Sequence, residues 1–242
     1  MSEIKKYYSL IKNEKEAEIY IYGDITSWPG RESDVSAYTL SSQIAELGDV
    51  DTIKVYINSC GGEVAEGLAI YNVLKRNNAK VITFCDGFAC SIASVIFAAG
   101  DERKMSSASL LMVHNAWMYT GGNADQLRKD ADDLDTVTQA SINAYLSIAA
   151  ISEDEIKALM DAESWITPQE ALSYGFATEI TNEKANNVSQ SARQSVFDAI
   201  MVKREPAPAD VPVPTPAKPA KSEGENRVNY LKAFFDAFKE KE

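Results

Sequence analysis

Histidine is almost missing from this chain: its 242 residues include one, His114. Any imidazole chemistry therefore has a single candidate. Cysteine is scarce as well. Cys60, Cys85 and Cys90 are odd in number, and none has C-x-x-C or zinc-ligand spacing. They read as reduced, mostly buried thiols of a cytoplasmic protein, which excludes a disulfide frame or a zinc site. No uncharged apolar run approaches the roughly 18–20 residues that a bilayer span requires, the longest lying around Ser91 to Ala99. The opening residues, MSEIKKYYSLIKNEKE, are too polar for a secretory signal. Positive charge is also in deficit, 24 Lys and Arg against 36 Asp and Glu, for a net charge of −12. That balance argues against nucleic acid as a partner, because phosphate contacts need clustered cations. It reads instead as a well-solvated acidic surface.

Proline is rare until the chain is nearly over. Pro29 and Pro168 stand alone, and the other six fall in EPAPADVPVPTPAKPAKSEGE. Such a stretch cannot pack a core and predicts an extended, disordered linker. The expected organisation is a globular domain over 1–183, a Pro/Ala-rich linker over 184–225 and a helix over 226–242. In that last segment Val228, Leu231, Phe235 and Phe238 share a helical stripe, the mark of an amphipathic helix that docks on something.

What is abundant is alternation between β-rich runs and helical patterns. Ala17–Ile25, Thr52–Asn58, Lys80–Cys85 and Ser109–His114 read as strands. Between them, Val35, Tyr38, Leu40, Ile44 and Leu47 suggest one amphipathic helix. Val64, Leu68, Tyr71 and Leu74 suggest another, and an apolar helix follows from about Ser91 to Ala99. This order predicts an α/β fold with a mostly parallel sheet buried on both faces. A long helix follows over roughly 123–150, with acidic residues crowding its first half, and is long enough to project from the domain. Ser152 to Glu155 and Thr167 to Glu170 are capping boxes, and Gly175 is a natural left-handed stop for the helix that the second one opens.

Three places suggest chemistry. His114 ends a predicted strand, where sites gather in parallel sheets. In Cys85-Asp86-Gly87-Phe88-Ala89-Cys90-Ser91 a strand is expected to end at Cys85 and Gly87 to supply a sharp turn into a helix. Ser91 then lies at a helix N-terminus beside free backbone N–H groups, as a nucleophile requires. A plain N-cap role is the alternative for Ser91, and Cys90 and Ser94 are competing nucleophiles. Asn58-Ser59-Cys60-Gly61-Gly62 is a strand running through paired glycines, whose backbone can approach a ligand closely.

Taken in order, NSxGG at 58–62, GxAxS at Gly87 to Ser91, Met112-Val113-His114 and WITPQEALSYG at 165–175 resemble the Clp protease proteolytic subunit family over about Ala17 to Ile180. The resemblance implies a ClpP/crotonase-like fold of repeated ββα units with a projecting handle helix, assembled as a homo-oligomeric ring, a heptamer or double ring. It implies Ser91 as nucleophile, His114 as base, and the N–H groups of Gly62 and Ile92 as oxyanion hole. Glu163 stands where the family has its acidic triad member, with Asp161 as the alternative. No metal or cofactor is implied. The family usually has Pro where Cys60 stands and Arg where Ser164 stands.

Those departures, with the tail, resemble the ClpP-related head-maturation (prohead) proteases of tailed phages. That subgroup implies ATP-independent cleavage of scaffold and capsid proteins, in the host cytoplasm or the prohead interior, with no membrane partner. A housekeeping ATP-dependent Clp subunit and a non-catalytic assembly protein on the same fold are the alternatives.

Overall fold

The computed structural model describes residues 10–13 and 15–181; the expected linker over 184–225 and terminal helix over 226–242 lie outside the described residues. In chain order the elements are β1 (Leu10–Asn13), β2 (Glu16–Ile21), α1 (Ala37–Glu46), β3 (Thr52–Ser59), α2 (Val64–Lys75), β4 (Lys80–Cys90) and α3 (Ile92–Phe97). Then come β5 (Glu102–Ser106), β6 (Leu110–Met112), α4 (Ala124–Leu146), α5 (Glu153–Asp161), β7 (Trp165–Ile166), α6 (Pro168–Tyr174) and β8 (Glu179–Thr181).

The sheet runs β1-β2-β3-β4-β5-β8 and is parallel except for β1. Its core face is made by alternate strand residues: Ala17, Ile19 and Ile21, then Ile53, Val55 and Ile57. These meet Leu40 and Ile44 of α1, Ile70 and Leu74 of α2, and the whole of α3, whose six residues are all buried. A helix apolar all round belongs in a core.

The opposite face departs from the expected burial on both sides. There Tyr20, Tyr56 and Phe84 stack at centroid spacings of 4.8 and 4.7 Å, flanked by Lys54 and Lys104. Tyr56 and Phe84 stay half-buried. The strands alternate apolar with amphipathic side chains, as one-sided sheets do. Tyr38, expected on the buried stripe of α1, is 82% exposed, because Leu40 and Ile44 carry that stripe.

Strand β4 is the branch point. Its first part, Ile82 to Cys85, pairs with β5, and its last part, Phe88 to Cys90, pairs with β6, which in turn pairs antiparallel with β7. Against β3 the register jumps from Ile57↔Cys85 to Ser59↔Ala89, so β4 carries extra residues there. The expected strand end at Cys85 and turn at Gly87 are thus corrected: the strand bulges and continues to Cys90. The Phe88 N–H donates to Asn58 Oδ1 at 3.1 Å to hold the bulge, and a Cβ on Gly87 would lie 2.5 Å from that oxygen. Strands β1, β5, β7 and β8 escaped the sequence reading, being two to five residues long with little alternation.

Helix α4 stands off the domain for its first half. Its buried residues begin at Thr138 and continue through Ser141, Ile142, Ala144 and Tyr145. Both predicted capping boxes are present, and Gly175 ends α6 with φ of 81°. Arg103 of β5 ties this end of the chain to the sheet. Arg103 is 9% exposed, and its guanidinium donates to the carbonyls of Phe176 and Gly100 at 2.9 Å and of Gly175 at 3.3 Å. Replacing Arg103 by Met strands these acceptors; the expected loss is about 3 kcal/mol in urea unfolding, and a loss under about 0.5 kcal/mol contradicts this role for the guanidinium.

Candidate active site

At the end of β4 the chain turns into α3 in a single residue. Ser91 takes φ of 54° and ψ of −129°. A side chain held in that region costs about 1–3 kcal/mol, and it persists only where neighbours fix it. Here the Ser91 N–H donates to the Met112 carbonyl of β6 at 2.8 Å, and the Ser91 carbonyl accepts from the Ser94 N–H at 3.0 Å and from Ser94 Oγ at 2.5 Å. The strained turn lifts Oγ out of the strand. The plain N-cap alternative fails, since the hydroxyl makes no capping bond to α3. It lies instead 2.7 Å from His114 Nε2.

His114 arrives from the neighbouring strand. The pairing of β4 with β6, Cys90 opposite Met112, brings its ring to the hydroxyl two residues further on. In the neutral tautomer with its proton on Nδ1, Nε2 is the atom that accepts from the serine hydroxyl. Burial pulls the imidazole pKa below its ordinary 6.5, while the negative charge of Glu163 acts to raise it. The ring is thus mostly neutral at pH 7, the state that accepts a proton.

The two acidic candidates part company. β6 and β7 pair with Leu111 opposite Ile166 and Met112 opposite Trp165, and the Val113 N–H extends the ladder to the Ser164 carbonyl at 3.0 Å. One step further that register sets Glu163 beside His114. Glu163 itself has φ of 48°. Asp161 is occupied elsewhere, accepting from Asn115 Nδ2 at 2.8 Å. Among the described residues neither carboxylate hydrogen-bonds the His114 ring; Glu163 acts on it through charge.

The paired glycines form the third wall. The Ile25 N–H donates to the Gly61 carbonyl at 3.0 Å, and the Glu63 N–H donates to the Ile25 carbonyl at 2.8 Å. In a parallel bridge the residue between those two bonds faces the other way, so the Gly62 N–H is left on the far edge from Ile25, in a cleft shared with Ser91, Ile92, His114 and Trp117. Glycine is obligatory here. Gly61 and Gly62 have φ of 96° and 151°. A Cβ on Gly61 would sit 2.8 Å from Ser91 Cβ, and one on Gly62 would sit 2.0 Å from the Ile25 carbonyl oxygen. Ser59 Oγ anchors the loop, donating to the Gly23 carbonyl at 2.6 Å and accepting from the Gly61 N–H at 3.1 Å. Ile92, as the first residue of α3, offers an N–H with no intrahelical acceptor.

The competing nucleophiles are spoken for. Cys90 is buried within β4, and burial pushes its thiol pKa far up, away from the reactive thiolate. Cys85 is buried too, its pKa pushed up to about 12 by burial. Ser94 is 2% exposed, with its hydroxyl bonded to the Ser91 carbonyl and to Tyr145. Sequence reasoning missed Tyr145 as a member of the site. Its only signal was a place on the buried stripe of α4, which any core aromatic would share. Among the described residues no cluster of three His, Cys, Asp or Glu groups is arranged to hold a metal, and no helix is long and apolar enough to cross a membrane.

A strained serine against an imidazole, with a glycine edge opposite, is a hydrolase arrangement, and the relatives of the chain agree. The model of the Clp protease family matches residues 7–184. The chain is 33% identical over 156 residues to the ATP-dependent Clp protease proteolytic subunit of Bacteroides fragilis strain ATCC 25285, covering 62% of this chain and 75% of that protein. It is 31% identical over 161 residues to the subunit of the same name from Deinococcus radiodurans, covering 63% and 79%. The chain belongs to the Clp protease family and is a serine-type peptidase.

Since His114 is the only imidazole, its ring resonances report its titration without ambiguity. An NMR titration is expected to give a midpoint below 6.5, and Glu163→Gln is expected to lower it further by removing the charge that favours the imidazolium. An unchanged midpoint in that variant removes Glu163 from the site.

Proposed function

We propose that Ser91, His114 and Glu163 carry out peptide hydrolysis by acyl transfer, and that the chain processes scaffold and capsid proteins during phage head maturation without ATP. The observation that carries the chemistry is the 2.7 Å approach of Ser91 Oγ to His114 Nε2. In the proposed mechanism Oγ attacks the scissile carbonyl as Nε2 takes its proton. The N–H groups of Gly62 and Ile92 receive the oxyanion. His114 returns the proton to the leaving amine, and water, activated by the same ring, releases the acyl-enzyme. Glu163 stabilises the imidazolium formed on the way.

The assignment to head maturation rests on the sequence. Ser164 stands in place of the family's usual Arg, Cys60 in place of its usual Pro, and residues 184–242 add a Pro-rich stretch and an amphipathic pattern beyond the peptidase domain. In this reading the protein works as a homo-oligomeric ring. The exposed stretch of α4 ahead of Thr138, with Leu127 43% and Val137 37% exposed, offers apolar contacts to another subunit. The names of the relatives favour a second reading, a proteolytic subunit served by an ATP-driven unfoldase. A non-catalytic assembly role is the third, and it predicts no reaction at Ser91.

Ser91→Ala and His114→Ala are each expected to lower peptide cleavage by about 10⁴-fold or more. Native-rate cleavage by a folded Ser91→Ala protein overturns the nucleophile. Incubation with phage scaffold and capsid proteins, without ATP, is expected to yield discrete fragments. Cleavage seen only with an unfoldase and ATP transfers the protein to the second reading.

A further inference from the structure

Helix α4 reaches the nucleophile through two buried hydroxyls. Tyr145, 3% exposed, lies 2.7 Å by its hydroxyl from Ser94 Oγ, and Ser94 Oγ lies 2.5 Å from the Ser91 carbonyl oxygen. A serine hydroxyl has one proton. Ser94 gives that proton to the carbonyl, which accepts only, so Tyr145 must donate to Ser94. The direction of the chain is fixed: Tyr145 O–H to Ser94 O–H to Ser91 C=O.

The end of this chain matters because of what shares its peptide plane. The Ser91 carbonyl and the Ile92 N–H belong to one peptide group and point in opposite directions across it. A hydrogen bond that fixes the carbonyl fixes the N–H. Donation to the carbonyl also polarises the group, which makes its N–H a stronger donor. The Ser94 N–H holds the same carbonyl at 3.0 Å; the hydroxyl adds a second, shorter bond on the plane whose other flank is the strained Ser91, and without it that plane is held less firmly against relaxation from the positive-φ turn.

We propose that Tyr145 and Ser94 are positioning residues for the reaction: the relay from α4 holds the Ser91–Ile92 peptide plane so that its N–H stays aimed at the developing oxyanion. The inference rests on the reading of Ser91 as nucleophile and Ile92 as oxyanion donor. Neither hydroxyl touches the substrate in this role, and neither exchanges a proton with it. The relay also makes the site depend on where α4 sits, since Tyr145 is anchored in its buried half while its first half stands clear of the domain.

The test uses the full chain and a fluorophosphonate probe, whose phosphoryl oxygen occupies the oxyanion site as it reacts. Tyr145→Phe keeps the ring and removes the donor; Ser94→Ala removes the relay. Expected are labelling rates about tenfold lower for Tyr145→Phe and about 10–100-fold lower for Ser94→Ala, short of the 10²–10³-fold loss of an entire donor. In peptide cleavage kcat is expected to fall with KM unchanged, while the acid limb of the pH profile stays in place. Ser94→Thr, whose hydroxyl can bond the same carbonyl, is expected to restore most of the rate. Wild-type labelling with no loss in either folded variant overturns the relay and leaves the nucleophile standing. A drop in melting temperature with unchanged labelling per folded molecule likewise overturns it, as a merely structural contact. Absence of labelling in the wild type sinks the underlying reading instead.

Discussion

One backbone conformation governs this molecule: the left-handed turn of Ser91 between a strand and a buried helix. A glycine would take that turn without strain but has no hydroxyl to offer. Serine takes it at a cost of about 1–3 kcal/mol, and much of the surrounding structure serves to hold it. The N–H is gripped by Met112 of β6, the carbonyl by Ser94, and the side chain is met by His114. On the open side the Gly61–Gly62 loop comes so close that no Cβ fits. The apolar α3 continues from the turn into the core and gives it a rigid base.

The sheet supplies that geometry by being shared. β4 belongs first to the main parallel sheet and then, past a bulge, to the β6–β7 ribbon. The bulge is where Asn58 crosses over to hold the Phe88 N–H, so the asparagine and serine of the NSxGG stretch work as braces for the chemistry beside them. Burial completes the electrostatics: it favours the neutral imidazole and keeps the thiols of Cys85 and Cys90 protonated, while the serine hydroxyl is the group that meets the ring.

Much of this was legible in the sequence, for definable reasons. Glycines adjacent to a strand end, a lone histidine at another, and capping boxes around 152 and 167 are local signals with local causes, and the elements they announce are present. The bulge at 86–88 was not legible, because Gly87 looks like a turn when read without Asn58, a partner some thirty residues away in sequence. The short strands β1, β5, β7 and β8 carry too few residues to show a period. The exposure of Tyr38 and the half-open aromatic face were misread because amphipathic tyrosines satisfy an apolar pattern while tolerating water. Tyr145 was invisible as part of the site for a similar reason: its ring belongs to the core, and only its hydroxyl reaches, through Ser94, toward Ser91.

The β6 ribbon has a last consequence. Met112, the last residue of β6, clasps the serine's amide, and two residues beyond the strand's end His114 presents its ring to the serine's oxygen. The serine's amide and the imidazole thus meet one short stretch of chain, 112–114, so its placement sets the surroundings of both ends of the serine.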